Sequence, residues 1–421
     1  MNANSLCGKL RLFQDTLADV ALLRDALAID SVTGGETPFA RFLEKQLSGL
    51  GLHTGMGTFE GQRENVWGVL HSDGPNLMVL GHTDTVHVRG WAEHWQDDPR
   101  KDPFGGVEVE GQIWSRGASD LKGGICAAIA GYRLLQRVEV QPSCGLTFAF
   151  IGDEESGEPG IGVSAGAKDL VHRLKADKLP RPDFAVYVEP TNLDVYTAQI
   201  GFFIADISVT GKTAYFGTPE LGVDALKATH LLLSRIWEHE ADLNTGPRHD
   251  LVGTSSILVT DIQGGGFIAV PGECNLSLIR QLRPGEALDD AVIAFEAALN
   301  IEELPDGVKI AIRYPAGRDH PKGGSPVEND PDLAAVDFLQ NCVRETRPKA
   351  GRVGGASYWS EMPFLTDQIG CPTVYCAPGD IAVAHTFEER IEVEEYLAAV
   401  RAFALFFAGF NASHVSPKSP T

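Results

Sequence analysis

The chain has 421 residues, 43% of them hydrophobic, a make-up that excludes a disordered or fibrous protein and exceeds what one core usually serves. Its 57 acidic side chains against 35 basic ones leave a formal charge of -22, which repels nucleic acid and anionic lipid, so neither is expected as a partner. Two domains are expected, and part of the acidity is what a site for divalent cations would need.

The N-terminal MNANSLCGKLRLFQDTLADVALL is broken by polar residues before it could form a signal core, and no later stretch is apolar over a membrane-spanning length. Seven cysteines, at 7, 126, 144, 274, 342, 371 and 376, lack the paired rhythm of a zinc ribbon or a disulfide scaffold. They fit a reducing compartment, and the cytoplasm is the expected location. From Leu17 to about Leu52 apolar residues recur at helical spacing, interrupted by the DSVTGGET turn; NVWGVL and NLMVLGH then read as short buried strands. LKGGICAAIAGYRLLQ reads as a helix of small and apolar residues, GLTFAFIGDEE as a strand entering an acidic turn, and DFAVYVEP as a strand ending on a carboxylate. This alternation predicts an α/β layer with a mostly parallel central sheet, in which function collects at the carboxyl ends of the strands.

Near Gly201 the pattern changes. FFIADISVTG alternates, a helix is predicted from about Leu221 to Glu240, SSILVTDIQGG and CNLSLIRQLRPGE follow as strands, and a helix around Leu288 to Leu299 precedes VKIAIRYP. Residues 198–315 are therefore expected to form an inserted, smaller α+β domain with an antiparallel sheet, between catalytic segments 1–197 and 316–421. AGRDHPKGGSP reads as a linker, after which a helix, the strand PTVYCAPG and a helix from Val393 resume the catalytic layer. The closing SHVSPKSPT is a polar tail with no chemistry expected of it, and no internal repeat is visible.

GHTDTV places His82 and Asp84 on the same side of an extended segment, a spacing that suits a metal ligand and the carboxylate that orients it. An isolated pair of this kind is also what a satisfied strand-end histidine and a turn aspartate look like. GASDLKGG sets Asp120 among small residues before a helix start, with room for a bridging ligand, although an aspartate there can simply cap a helix. In IGDEESGEPG the adjacent Glu154 and Glu155 point in different directions, so one can bind metal while the other moves protons; a solvated acidic loop has the same composition. VYVEP ends a buried strand on Glu189, costly unless cations face it, and APGDIAVAHTFEER puts His385 in a loop before the last helix. The weight lies in the conjunction of these residues rather than in any one of them.

In that conjunction the chain resembles the metallopeptidase family of aminoacylase-1, acetylornithine deacetylase, succinyl-diaminopimelate desuccinylase and glutamate carboxypeptidase. GHTDTV, SRGASDLKGG, GDEESG, VEP, GKTAYFGTPELGVDA, VPGEC and APGDIAVAHT occur in the family's order over nearly the whole chain. The resemblance implies a zinc-peptidase-like catalytic domain with a ferredoxin-like lid and dimerisation domain inserted, and hence a homodimer or larger homo-oligomer. It implies two divalent cations, with zinc, manganese and cobalt all compatible with the ligands. His82, Asp120 and Glu189 would hold one, Asp120, Glu155 and His385 the other, with Asp84 orienting His82, Glu154 taking the proton of the attacking water, and a cis peptide bond after Asp120. The activity implied is cleavage of a C–N bond in a small carboxylate-bearing substrate, first of all deacylation of an N-acyl amino acid. A binding or assembly relative without metal would have lost ligands, and none of the five is lost.

The sequence departs from the family at Tyr215, where GK-(S/T)-A-H would carry a histidine that helps hold the oxyanion and the substrate carboxylate. A tyrosine hydroxyl donates one hydrogen bond but brings no positive charge near neutral pH. This keeps a second activity in view, release of ammonia from an arylamine of the 5-nitroanthranilate type, where charge spreads into the ring. Arg280, Arg283 and Arg352 are candidates to grip a substrate carboxylate through paired hydrogen bonds.

Overall fold

The computed structural model describes residues 3–155, 162–301 and 304–415, so the SGEPGI part of the acidic motif and the terminal SPKSPT of the polar tail lie outside the described residues. The chain divides into two compact units, one of Met1–Thr197, Asn329–Gly354 and Phe364–Thr421, the other of Ala198–Glu328 and Gly355–Pro363.

The first unit is built on a sheet ordered His53–Glu60, Arg63–Leu70, Gly145–Ile151, Asn76–His82, Phe184–Tyr187, Thr373–Tyr375 and Val195–Gln199. Its four central strands, from Gly145–Ile151 to Thr373–Tyr375, run parallel, while the strands on either side of them are antiparallel. Gly145–Ile151 is buried along its whole length, as expected of a strand covered on both faces. The helix Gly123–Arg137 packs closely on Val393–Gly409 because small residues line the contact: a methyl at Gly131 would stand 2.9 Å from Phe403 Cβ. Helices Thr37–Gly49 and Ala165–Lys175 pack on the outer strands Arg63–Leu70 and His53–Glu60. The parallel strands deliver their carboxyl ends together, at His82, just before Glu154, just before Glu189, and ahead of the loop that leads to His385.

The second unit is a two-layer α+β fold. Its sheet is ordered Ser256–Gly264, Glu273–Leu282, Gly201–Thr210, Lys309–Arg313, all antiparallel. Strict in-out alternation along Gly201–Thr210 and Glu273–Leu282 turns Phe203, Ile207 and Leu278 inward to a core shared with Leu232 of the helix Ala225–Thr245 and Phe295 of the helix Leu288–Ala298. Asp224 starts the first of these helices by accepting from the N–H groups of Leu226 and Lys227, which moves its start four residues past the predicted Leu221. The unit also runs beyond the expected boundary at residue 315. Gly323–Gly324 pairs with Phe202 and Phe203, and Trp359 packs its ring edge-on to Phe202 at 5.6 Å, so the stretch read as a linker belongs to this sheet.

All seven cysteines are buried and free. Among the described residues no helix is long and apolar enough to cross a membrane.

Candidate metal centre

Five residues that the sequence singles out meet at the strand ends of the first unit. His82 Nε2 lies 3.1 Å from Asp120 Oδ1 and 3.7 Å from Glu189 Oε1. His385 Nε2 lies 3.1 Å from Asp120 Oδ2 and 3.1 Å from Glu155 Oε2. Asp120 thus turns one oxygen to each histidine. The ligand atoms of His82, Asp120 and Glu189 fall within 4.8 Å of one another, as do those of Asp120, Glu155 and His385, and those of His82, Glu154 and Glu155. Asp120 sits in a tight non-helical turn at Ala118–Lys122, and the peptide bond to Leu121 is cis. Behind it the chain is closely packed: a methyl at Gly124 would stand 2.4 Å from the Val188 carbonyl oxygen, which brings the helix start against the strand end that carries Glu189.

The expected pairing of the Asp84 carboxylate with His82 is corrected by the structure. His82 Nδ1 lies 3.0 Å from the backbone carbonyl oxygen of Asp84, whereas the nearest carboxylate oxygen is 3.9 Å away. A proton on Nδ1 donated to that carbonyl leaves Nε2 free to act as a ligand. The carboxylate instead holds the acidic turn. Its Oδ1 accepts from Glu154 N at 3.2 Å, and its Oδ2 accepts from Glu155 N at 2.8 Å and from Thr33 Oγ1 at 3.0 Å. Neither Thr33 nor this use of Asp84 is visible in sequence, because both depend on the DSVTGGET turn reaching the strand end.

Asp120, Glu155 and Glu189 are buried and Glu154 is half-buried, so four carboxylates share a site with two imidazoles. For His82, burial alone would lower the pKa, but hydrogen bonding to Asp120 and the charges of Glu189, Asp120 and Glu154 carry it well above the usual histidine value. His385 is more exposed, and the partial desolvation of its ring opposes protonation; its hydrogen bonds to Asp120 and Glu155 overcome this and push it up to about 11. Burial would raise Asp120, yet the two histidines hold it well below the usual carboxylate range; Glu155 is pushed up by burial and by the charge of Asp120. Buried carboxylates concentrated in this way need positive charge, and a mixed carboxylate and imidazole set around a two-faced aspartate fits a pair of divalent cations.

The proposed substrate contacts are placed differently. Arg280, only 2% exposed, lies inside the second unit with its guanidinium 2.8 Å from Glu286, which corrects its expected role as a carboxylate grip: burial and the ion pair take it up. Arg283 Nη1 donates to the Pro284 carbonyl oxygen. Arg352 extends into solvent and pairs with Asp194 at 3.0 Å. Tyr215 is 61% exposed and packs against Phe216 with ring centroids 4.5 Å apart and the rings tilted by 50°. Sequence reading also passes over Glu389, whose carboxylate is buried against Arg116 and the Asp120 turn; within TFEER it looks like one of several solvated charges.

Residues 78–408 match Peptidase family M20/M25/M40. Over 411 residues the chain is 26% identical to a succinyl-diaminopimelate desuccinylase of Gluconobacter oxydans, covering 93% of this chain and 97% of that one. A tripeptidase from Staphylococcus aureus shares the fold with a TM-score of 0.73 at 18% identity, over 94% of this chain and 98% of that chain. A dinuclear metal binding peptidase of the same family from Bacillus subtilis aligns with a TM-score of 0.62 at 14% identity, over 93% and 97% of the two chains. The family motifs, the strand-end cluster and the shared fold agree, and the chain belongs to peptidase family M20/M25/M40, as a metal-dependent hydrolase acting on amide C–N bonds.

Proposed function

We propose that the protein deacylates an N-acyl amino acid or a similarly small, carboxylate-bearing amide, using two divalent cations of the zinc, manganese or cobalt kind. The observation that carries this reading is Asp120, whose Oδ1 and Oδ2 face two separate imidazoles at 3.1 Å each. His82 and Glu189 would complete one cation site, and Glu155 and His385 the other. The likeness to a desuccinylase over most of both chains supports an acyl group on nitrogen as the target.

Two divalent cations, when bound, lower the pKa of a water and polarise the scissile carbonyl. Glu154 would accept the water's proton and return it to the leaving nitrogen, a role supported by its closeness to His82 and Glu155 and by its being only half-buried. Asp84 and Thr33 keep Glu154 and Glu155 in register through the turn's backbone. The second unit is proposed as the lid and dimerisation domain; its edge strand Ser256–Gly264, with Leu258 and Ile262 exposed, supports a homodimer. Seven free buried thiols support residence in the cytoplasm.

A second reading, ammonia release from a substituted anthranilate, is favoured by Tyr215, which brings no cationic charge to the position where the family has histidine. Metal-loaded protein incubated with N-acyl amino acids and with substituted anthranilates separates the two: acyl hydrolysis supports deacylation, and ammonia release without acyl hydrolysis overturns it. Glu154→Gln is expected to keep its metal and to lose about 10²- to 10⁴-fold in turnover, checked by elemental analysis and initial rates. Near-normal rates would remove Glu154 from the proton's path.

A further inference from the structure

The loop that carries His385 and the turn that carries Asp120 are joined by a carboxylate that belongs to neither proposed cation site. Glu389 follows His385 by four residues and is 0% exposed. Its Oε1 accepts from the backbone N–H of Ser119 at 3.2 Å and of Asp120 at 3.0 Å. Its Oε2 makes a short contact with Arg116 Nη1, and Arg116 Nη2 donates to the Thr386 carbonyl oxygen at 3.3 Å. The backbone agrees: Ser115 N donates to the Glu389 carbonyl oxygen at 3.3 Å, and Arg390–Glu392 pairs antiparallel with Gln112–Trp114. Arg116 is itself held over the Trp91 ring at 5.3 Å.

Two carboxylates therefore act on the same pair of loops. Asp120 Oδ2 meets His385 through its side chain, and the Glu389 carboxylate ties the backbone of Asp120 to the His385 loop. His385 itself is more than half exposed on a left-handed residue, φ 61°, so its own packing fixes it weakly. From this arrangement we infer that Glu389, with Arg116 as its counterion, is a positioning residue that sets the distance between Asp120 and His385 and so tunes the affinity of the cation site on the His385 side. The inference rests on the two-cation reading above. Groups that orient ligands without touching the ion commonly govern affinity in this way.

The experiment titrates chelator-treated full-length protein with Co²⁺, following visible absorption. The wild type, Glu389→Gln, His385→Ala and Glu395→Gln are compared. Glu395 is a second buried carboxylate, 3.6 Å from Arg347 and accepting from Gly379 N, so it controls for loss of a buried charge as such. Glu389→Gln should weaken the binding event that His385→Ala removes by about tenfold to a hundredfold, and leave the other event within about threefold. Glu395→Gln should leave both events within about threefold of the wild type. Equal weakening of both events by Glu389→Gln, no weakening, or the same loss with Glu395→Gln overturns the inference. A wild type that binds fewer than two Co²⁺ overturns the two-cation reading and this inference with it, whereas two unchanged events in Glu389→Gln overturn this inference alone. Should Glu389→Gln fail to fold, Arg116→Lys, which keeps the charge but not the fork to Thr386, is expected to weaken the same event; no change there overturns the proposal as well.

Discussion

Asp84→Asn is the most direct test of how the acidic turn is held. The amide keeps the size of the carboxylate but offers one accepting oxygen in place of two. If that oxygen stays on Glu155 N and Thr33 Oγ1, the new NH₂ faces the Glu154 N–H, two donors where a 3.2 Å hydrogen bond stood. One bond to a charged acceptor is lost, about 1.5–3 kcal/mol, and two more fall from charged to neutral strength, about 1 kcal/mol each. Part of this is offset because the wild type buries an anion there, a cost visible in the upward push that burial gives the Asp84 carboxyl. The net expectation is a destabilisation of about 2–4 kcal/mol in chelated protein, with faster amide exchange at Glu154 and Glu155. Urea unfolding gives the first quantity and hydrogen exchange read by mass spectrometry the second. A variant within about 0.5 kcal/mol of the wild type, with unchanged exchange at both amides, would show that the turn holds itself and that the reasoning fails.

Two further expectations follow from the same site. His385→Ala removes one ligand of the exposed side of the cluster and should lower bound metal by about one ion per chain in elemental analysis, with the fold retained by circular dichroism. Lys122 is buried, donates to the carbonyl oxygens of Ala26 and Ile29, and is pushed down by that burial to about 7 from an ordinary 10.5. Between those two values the unfolded chain binds the extra proton, so this lysine's contribution to stability grows as pH rises through that window and is lost as pH falls through about 7. Lys122→Met should remove that slope. Urea midpoints of both proteins at pH 7 and pH 9 check it, and an unchanged difference between them at the two pH values would refute it.

Much of the first unit is legible because its signals are local. Apolar strands run into His82, Glu154 and Glu189, and a helix rich in glycine and alanine follows Asp120, so the succession of elements and the candidate residues can be read from short motifs. The alternation of Gly201–Thr210 likewise announces a half-exposed sheet. The rest depends on contacts between distant segments. Whether the Asp84 carboxylate faces His82 or the acidic turn is decided by Thr33 and by backbone N–H groups that no spacing rule contains. The linker reading failed because Gly323–Gly324, too short to show periodicity, pairs across to Phe202 and Phe203. Arg280 looks available in sequence and is not, since Glu286, one turn of chain later, claims it. The strand His53–Glu60 alternates too weakly to stand out, with two glycines and one fully buried position.

The thiols give the molecule a practical property. Every cysteine is enclosed, and burial pushes those of Cys126, Cys144 and Cys371 up to about 12. A maleimide probe reacts with exposed thiolate, so the folded protein offers it almost nothing. A single cysteine introduced on the surface, for instance at the exposed Leu17 of the helix Thr16–Leu27, would become the sole handle for a fluorophore or spin label, with all seven native residues left in place.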